Sequence, residues 1–185
     1  MSSESEHLHT PAFTKRDVDG DSLPRSVCDT CGFIDYQNPK VIVGSAIRHN
    51  ERILMCRRAI EPRIGYWTLP AGFLELHETA EQGAMREAQE EACADIKIER
   101  LLAIYSVTHI SQIQLIYKAH LVRPEIAPGP ESQEVALFSW DEIPWDEIAF
   151  PSVVWTLNYL RKVWDTDEFM PFGNPPEGEF PFKFK

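Results

Sequence analysis

The sequence predicts an α/β domain in which strands and two helices follow one another along the chain. A helix is predicted just after Thr79, because Thr79 followed by Gln82 is a capping-box signature. A second helix is predicted after Pro151, where apolar residues recur at helical spacing. Strands are predicted where branched and aromatic residues predominate, at residues 41–48, 52–58, 96–107, 112–122 and 135–140.

Length and charge limit the functions open to the protein. Its 185 residues suit one ordinary domain with a small N-terminal appendage. The net charge of −11 argues against a nucleic-acid duplex or an anionic membrane as partner. It does not argue against an anionic small molecule, because a bound metal would reverse the local charge. No apolar run approaches about 18 residues, no signal peptide is visible, and the four cysteines suit a reducing compartment. We therefore expect a cytoplasmic protein that acts on a small molecule.

Three carboxylates are predicted to share one exposed face of the first helix. Glu90 and Glu91 follow Glu87 by three and four residues, so the three side chains fall within roughly 100° around the helix axis. Such crowded charges repel one another unless a cation lies among them. Hard oxygen ligands of this kind suit Mg²⁺ or Mn²⁺. The sequence therefore predicts a divalent-metal site on this helix.

The stretch that contains these carboxylates resembles the signature motif of the Nudix hydrolases. Gly72, Glu78 and the run REAQEE at residues 86–91 have the spacing of that motif. Arg86 lies to one side of the carboxylate face and is predicted to form an ion pair with Glu78, which would hold the loop before the helix. The motif departs from the family pattern at its last glycine, where this chain has Cys93. That difference bears on how the helix ends and leaves the metal ligands unchanged.

The resemblance implies a fold and a chemistry. The fold is a Nudix α/β/α sandwich with a mixed sheet between the two helices and a small N-terminal ribbon-like segment. The chemistry is metal-assisted hydrolysis of a diphosphate linked to a second group. Glu87, Glu90 and Glu91 are the implied metal ligands and catalytic carboxylates, and the backbone carbonyl of Ala71 would complete the metal shell.

A further carboxylate downstream of the motif is also implied by the resemblance. Many Nudix enzymes use a glutamate in this loop as an extra metal ligand or as the general base. Glu134 and Glu131 are the candidates, and exposure to solvent without a catalytic role is the alternative for each. The base that takes the proton from water is one of these residues or one of the glutamates of the helix.

A pair of arginines ends the second predicted strand. Arg57 and Arg58 are predicted to bind substrate phosphate through forked hydrogen bonds, and the alternative is a solvated strand end. Trp67, which follows in the next loop, is predicted to belong to the core rather than to a substrate platform.

The N-terminal region contains a knuckle-like CxxC sequence formed by Cys28 and Cys31. Zinc needs four ligands, so two cysteines alone are weak evidence for a site. Several Nudix hydrolases begin with a zinc ribbon of two CxxC pairs, and His9 lies about where a missing cysteine would fall. A zinc site of His9, Cys28 and Cys31 with Glu6 or His7 is therefore one hypothesis. A ribbon remnant that packs without metal is the other.

Three regions are predicted from composition and from the resemblance. Residues 1–37 form a ribbon-like, partly disordered segment, residues 38–165 the hydrolase domain, and residues 166–185 an extended tail. The tail is rich in Pro, Phe and Gly and is predicted to be an arm across the partner subunit of a homodimer.

The substrate is predicted from a closer resemblance. The stretches YQNPKVIVG, WTLPAGFLE, HISQ, PGPES and LFSWDEIPW resemble the branch that contains plant FAD diphosphatase and related bacterial enzymes. These cleave FAD to FMN and AMP, and several accept ADP-ribose. We therefore predict FAD or ADP-ribose as substrate, with AMP and a phosphorylated partner as products. The alternatives are an NADH or nucleotide-sugar diphosphatase, and a Nudix-fold binding or regulatory module without turnover.

Overall fold

The computed structural model describes residues 12–182, and the chain divides into two compact units between Asn38 and Pro39. The first unit contains a small antiparallel sheet in the order β1-β2-β3, formed by Phe13–Arg16, Arg25–Cys28 and Ile34–Asp35. An ion pair between Arg25 and Asp21, 2.9 Å apart, crosses the turn before β2. Across residues 12–182, no helix is both long and apolar enough to cross a bilayer.

The second unit is built on one mixed sheet of seven strands. The strands are β4 (Lys40–His49), β5 (Arg52–Arg58), β6 (Trp67–Thr68), β7 (Ala71–Phe73), β8 (Ile96–Val107), β9 (Gln112–Leu121) and β10 (Ser132–Phe138). Their order is β10-β5-β4-β9-β8, with β6 paired to β5 and β7 paired to β4. The β4–β9 pair is parallel and the other pairs are antiparallel. The helices are α1 (Ala80–Ala92) and α2 (Pro151–Lys162), and short 3₁₀ turns lie at Thr108–Ile110 and Trp145–Glu147.

The two helices cover opposite faces of this sheet. Along β5, Leu54 packs in the apolar cluster that contains Ala88 of α1, while Met55 packs in the cluster that contains Leu157 of α2. Successive side chains of a strand point to opposite faces, so both faces of β5 are buried. The predicted α/β/α arrangement with a mixed sheet is therefore confirmed.

The predicted strand bounds agree closely with the observed ones, except at β10. Residues 52–58 and 96–107 match β5 and β8, while β10 begins at Ser132 rather than at residue 135. The earlier start follows from a hydrogen bond of Ser132 N to Gly129 O (3.0 Å) and from the pairing of Ser132 with Arg58. A register shift between Ser132 and Glu134 obscures the alternation that sequence patterns rely on.

The described part of the C-terminal tail packs on its own chain. The ring of Phe172 stacks on Tyr159 with centroids 4.2 Å apart. Its backbone N–H donates to Leu102 O (2.9 Å), and its carbonyl accepts from Ile104 N (2.9 Å). The tail thus covers the outer edge of β8, where backbone groups would otherwise remain unpaired. Apolar burial and edge pairing within one chain explain this placement, and the homodimer stays a prediction.

Candidate metal centre

The start of α1 is fixed by the predicted capping box. Thr79 Oγ1 accepts a hydrogen bond from Gln82 N (3.2 Å), and Gln82 Oε1 accepts one from Thr79 N (2.8 Å). The two side chains satisfy backbone donors that the first turn of a helix leaves unpaired. The box therefore fixes the residue at which α1 begins.

Gly72 of β7 lets the carboxylate of Glu87 approach the strand. A Cβ placed on Gly72 would overlap the carboxylate atoms of Glu87. The carboxylate of Glu87 therefore lies directly against this strand, and a larger residue at position 72 would displace it.

Arg86 lies among the acidic groups rather than beside them. Its Nη1 donates to Glu87 Oε1 (2.7 Å) and to Glu90 Oε2 (2.9 Å), in addition to the expected ion pair with Glu78. Its Nη2 also donates to the carbonyl of Phe73 (2.9 Å). The long side chain therefore partly neutralises two of the three helix carboxylates.

Glu78 ties the loop between β7 and α1 to the helix. Glu78 Oε1 accepts from the backbone N–H of Glu75 (2.8 Å) while both carboxylate oxygens bind Arg86. Hydrogen bonds from Arg86 and then from Glu75 lower the pKa of Glu78. The pair therefore remains ionic at neutral pH, and the loop is anchored at both of its ends.

Two of the three helix carboxylates are buried, so the expectation of one exposed acidic face is wrong. Glu87 and Glu91 are only 8% and 7% exposed, whereas the side chain of Glu90 is 59% exposed. Burial raises the pKa of Glu87 despite the opposing effect of Arg86. Burial, followed by the charge of Glu87, raises the pKa of Glu91 to about 8. The backbone N–H of Ala71 lies near the Glu91 carboxylate and partly opposes that rise.

One oxygen of this site lacks a partner. Glu91 Oε2 is buried and accepts no hydrogen bond within the part of the chain that the structure describes. A buried carboxylate oxygen without a partner is costly, and a cation would compensate it. The surrounding donors are hard oxygens, which fit Mg²⁺ or Mn²⁺. Within residues 12–182, no three His, Cys, Asp or Glu side chains converge as a metal-binding group, and Arg86 pairs with Glu87 and Glu90.

A downstream loop, residues 127–131, docks on the C-terminal end of α1. Ala127 N donates to Ala92 O (3.0 Å) and Gly129 N donates to Glu91 O (3.1 Å). A Cβ on Gly129 would overlap the carbonyl of Glu90, so only glycine permits this approach. Sequence reasoning missed Gly129, and its signal was a glycine between two prolines in the segment PGP.

The two downstream glutamates have different surroundings. The charge of Glu131 raises the pKa of both Glu87 and Glu91, so this residue lies near the helix carboxylates. Glu134 lies on β10 opposite Arg57, with its carboxylate 3.6 Å from Arg57 Nη1. The structure therefore brings Glu131 to the candidate metal site and Glu134 to the arginine pair.

Arg57 and Arg58 are half-buried and hold the loop that follows β5. Arg57 Nε donates to Gly65 O (2.9 Å), and Arg58 Nε donates to Pro62 O (2.8 Å). The charge of Arg58 acts on Glu91, which places this arginine at the edge of the carboxylate site. Trp67, in the next strand, is 6% exposed and belongs to the core as predicted.

The end of α1 keeps its glycine-like geometry although it carries a cysteine. Cys93 has φ 49° and ψ 28°, a left-handed conformation, and its N–H donates to Ala88 O and Gln89 O. The missing glycine of the motif therefore changes the energy of the helix end rather than its shape.

The N-terminal unit brings Cys28 and Cys31 together as free thiols. Backbone N–H groups of Cys31 and Thr30 lower the pKa of the Cys28 thiol, which favours the thiolate that binds metals. His9 and its neighbours Glu6 and His7 lie outside the described residues. Of the proposed zinc ligands, the structure therefore shows the positions of Cys28 and Cys31.

Two family models match the chain. The model described as the NUDIX domain matches residues 38–156, and the zinc-ribbon model described as Nudix N-terminal matches residues 12–37.

Relatives and solved structures are similar over much of the chain. An ADP-ribose pyrophosphatase from Methanocaldococcus jannaschii is 29% identical over 132 residues, which cover 68% of this chain and 76% of that protein. An NAD-capped RNA hydrolase NudC from Photobacterium profundum is 28% identical over 139 residues, which cover 73% of this chain but 52% of that protein. The crystal structure of a NUDIX hydrolase from Nitrosomonas europaea has a TM-score of 0.84 and 42% identity, and covers 91% of this chain and 97% of that chain.

Proposed function

Since the chain belongs to the Nudix hydrolase family, we propose that it is a Mg²⁺- or Mn²⁺-dependent enzyme that cleaves the diphosphate bond of a nucleotide conjugate. The observation that supports this most strongly is the unpartnered, buried Oε2 of Glu91 beside the carboxylate of Glu87. A site that serves only stability gains nothing from two buried carboxylates that repel each other. A divalent cation would account for both the unpartnered oxygen of Glu91 and the burial of the two carboxylates.

The residues have separate roles in this proposal. Glu87, Glu90 and Glu91 would hold the metal together with the carbonyl of Ala71, and the bound metal would supply positive charge to the phosphoryl oxygens and activate water. Arg86 pairs with one oxygen of Glu87 and one of Glu90, so the second oxygen of each carboxylate would be available to the metal.

A downstream glutamate takes the proton from the attacking water. Glu131 is the better placed candidate, because its charge acts on the helix carboxylates. Glu134 would have to leave Arg57, with which it is paired.

The substrate we propose is ADP-ribose or FAD, cleaved to AMP and a phosphorylated partner. The M. jannaschii relative carries the name ADP-ribose pyrophosphatase, and the segments quoted above resemble FAD diphosphatases. NADH and nucleotide sugars are the alternatives. The NudC relative is named for NAD-capped RNA, but a net charge of −11 opposes an extended RNA contact.

A substrate panel tests the proposal. The purified protein with Mg²⁺ or Mn²⁺ is incubated with FAD, ADP-ribose, NADH, a nucleotide sugar and NAD-capped RNA, and AMP release is followed by chromatography. We expect ADP-ribose or FAD to give the highest kcat/KM, with no turnover in chelator. Glu91→Gln serves as the inactive control and Glu125→Gln, at an exposed position, as the matched active one. Failure to cleave any of the five would contradict enzymatic function and favour a binding module.

A further inference from the structure

We propose that Gly129 is a positioning residue, which seats the turn of residues 129–132 on the C-terminal end of α1 and thereby holds Glu131 beside Glu87 and Glu91. This inference rests on the proposed function, in which Glu131 takes the proton from the attacking water. Gly129 contributes no side chain to that chemistry. It permits a close approach of the turn to the helix that a larger residue would prevent.

The turn is attached to the metal-site helix through backbone hydrogen bonds. The last carbonyls of a helix have no partner within the helix. In α1, Gly129 N donates to Glu91 O (3.1 Å) and Ala127 N donates to Ala92 O (3.0 Å), so the loop satisfies two of these carbonyls. One of them belongs to Glu91, a proposed metal ligand. The loop is therefore placed directly against the backbone of the site.

Position 129 holds glycine because space is lacking and not because of its backbone angles. A Cβ on Gly129 would overlap the carbonyl of Glu90 and lie 3.3 Å from Glu91 Cα. The φ of Gly129 lies outside the left-handed region, so alanine could adopt the same backbone angles. The helix cannot yield, because Ala88 and Ala92 are fully buried among side chains of the sheet. With alanine at position 129, the turn would have to move instead.

Glu131 has a fixed place within the turn. Ser132 N donates to Gly129 O (3.0 Å), which closes a β-turn with Pro130 at the second position, where proline is favoured. The carbonyl of Glu131 accepts a hydrogen bond from Ala59 N (2.8 Å), just beyond the end of β5. Because the turn is closed on itself, a displacement of Gly129 would displace Glu131 as well.

The side chain of Glu131 acts on both buried carboxylates from the solvent side. Burial is the main cause of the raised pKa values of Glu87 and Glu91, and the charge of Glu131 adds to the rise in each. Glu131 itself is exposed, so water reaches it. A general base must lie within hydrogen-bond reach of the water whose proton it takes. Its distance from the metal ligands therefore decides whether it can act.

Amide hydrogen exchange in the metal-free protein tests whether Gly129 seats the turn. The Ala59 amide donates to Glu131 O, so its exchange rate reports whether the turn is in place. In Gly129→Ala we expect the amides of Ala59 and Ala127 to exchange at least about tenfold faster than in the wild type. Gly173→Ala is the matched control, because a Cβ on Gly173 would meet no atom within 4 Å. It should leave both amides unchanged.

Steady-state kinetics tests whether the effect passes through Glu131. Gly129→Ala should lower kcat by about 10- to 100-fold with KM nearly unchanged, since a misplacement of about 1 Å can cost two orders of magnitude in rate. Gly173→Ala should keep wild-type activity. In the Glu131→Gln background, Gly129→Ala should lower kcat by less than about twofold more, because both changes act on the same group.

A second variant covers the case in which Gly129→Ala does not fold. Pro130→Gly relaxes the turn without introducing any clash, and should lower kcat by about two- to fivefold with KM nearly unchanged. It should also speed exchange of the Ala59 amide.

Unchanged exchange at Ala59 in Gly129→Ala would overturn the proposal. Losses in kcat that multiply in the double variant would also overturn it, because Gly129 would then act on the fold rather than through Glu131. Faster exchange in a protein whose wild type cleaves no diphosphate would contradict only the proposed function. Wild-type kcat in Gly129→Ala, or in Pro130→Gly, would contradict only the positioning role.

Discussion

Arg86 and Glu78 form a two-point ion pair across eight residues of sequence. Arg86 Nε lies 3.1 Å from Glu78 Oε2, and Arg86 Nη2 lies 2.9 Å from Glu78 Oε1. The parallel geometry matches the fork of a guanidinium to the two oxygens of a carboxylate. Since Arg86 also binds the carbonyl of Phe73, the pair fixes the chain directly after Gly72, where the strand meets the carboxylate of Glu87.

Glu78→Gln should lower kcat by about 10- to 100-fold and weaken metal activation, with KM for the substrate nearly unchanged. The change removes the charge that anchors the loop, and a misplacement of about 1 Å can cost two orders of magnitude in rate. Steady-state kinetics at several Mg²⁺ concentrations measures the effect. Glu75→Gln is the control, because Glu75 contributes its backbone N–H to this contact. A rise in KM alone would make Glu78 a substrate contact instead.

Glu91→Gln should reduce turnover by well over tenfold and leave the metal-free protein at least as stable as the wild type. The carboxylate is lost as a ligand, while a neutral amide replaces a buried group whose charged form is disfavoured by burial and by Glu87. Activity assays and thermal unfolding in chelator measure the two effects separately. Activity within about twofold of wild type would refute the proposed metal site, and a large loss of stability would show that Glu91 is structural.

Local patterns predicted the parts of the site that depend on neighbours in sequence. The capping box of Thr79 and the spacing of Glu87, Glu90 and Glu91 are properties of one helix, so the sequence shows them directly. The burial of Glu87 and Glu91 could not be predicted in this way. This burial depends on contacts with β7, before the helix, and with the loop around Gly129, nearly 40 residues after it. The spacing of residues within the helix contains no information on where β7 or this loop contacts it.

The tail illustrates the same limit. Its Pro, Phe and Gly content indicates extended chain, and the described part is free of regular helix. Composition alone does not predict which surface the aromatic rings contact. The tail is positioned by the stacking of Phe172 on Tyr159 and by the backbone pairing of Phe172 with β8, and both are long-range contacts.

Cys93→Gly should stabilise the protein by about 0.5–1 kcal/mol, because Cys93 holds a left-handed conformation that favours glycine. The side chain is exposed, so little packing is lost. Thermal or urea unfolding measures the change, and about 2–4 °C is expected per kcal/mol in a chain of this size. Cys93→Ala controls for loss of the thiol and should bring no such gain. Equal stability of the two variants would mean that the helix end carries no strain.

Zinc in the N-terminal unit should amount to about one ion per chain if Cys28 and Cys31 are ligands. Elemental analysis of protein never exposed to chelator measures it. Cys28→Ser should abolish the zinc, while Cys93→Ser, at an exposed cysteine of the other unit, should retain it. Wild-type protein without zinc would leave the region as a metal-free remnant of a ribbon.

Lys118→Met should destabilise the protein by about 3–5 kcal/mol, because it breaks a buried charge network. Lys118 is fully buried, and its ammonium donates to the carbonyls of Val163 (3.1 Å) and Thr166 (2.9 Å) at the end of α2. It also lies 3.6 Å from the carboxylate of Glu99. Methionine keeps much of the volume, so the loss reports the carbonyls left without a donor and the lost pairing with Glu99 rather than a cavity.

The matched control is Lys97→Met, since Lys97 is exposed and its replacement should change stability by less than about 0.5 kcal/mol. Urea unfolding measures both variants. The double variant Lys118→Met with Glu99→Gln should recover part of the loss, because position 99 then carries no charge that lacks the Lys118 ammonium. If the double variant were less stable than Lys118→Met alone, the pairing of Glu99 with Arg48 (2.9 Å) and His120 (2.7 Å) would outweigh its pairing with Lys118.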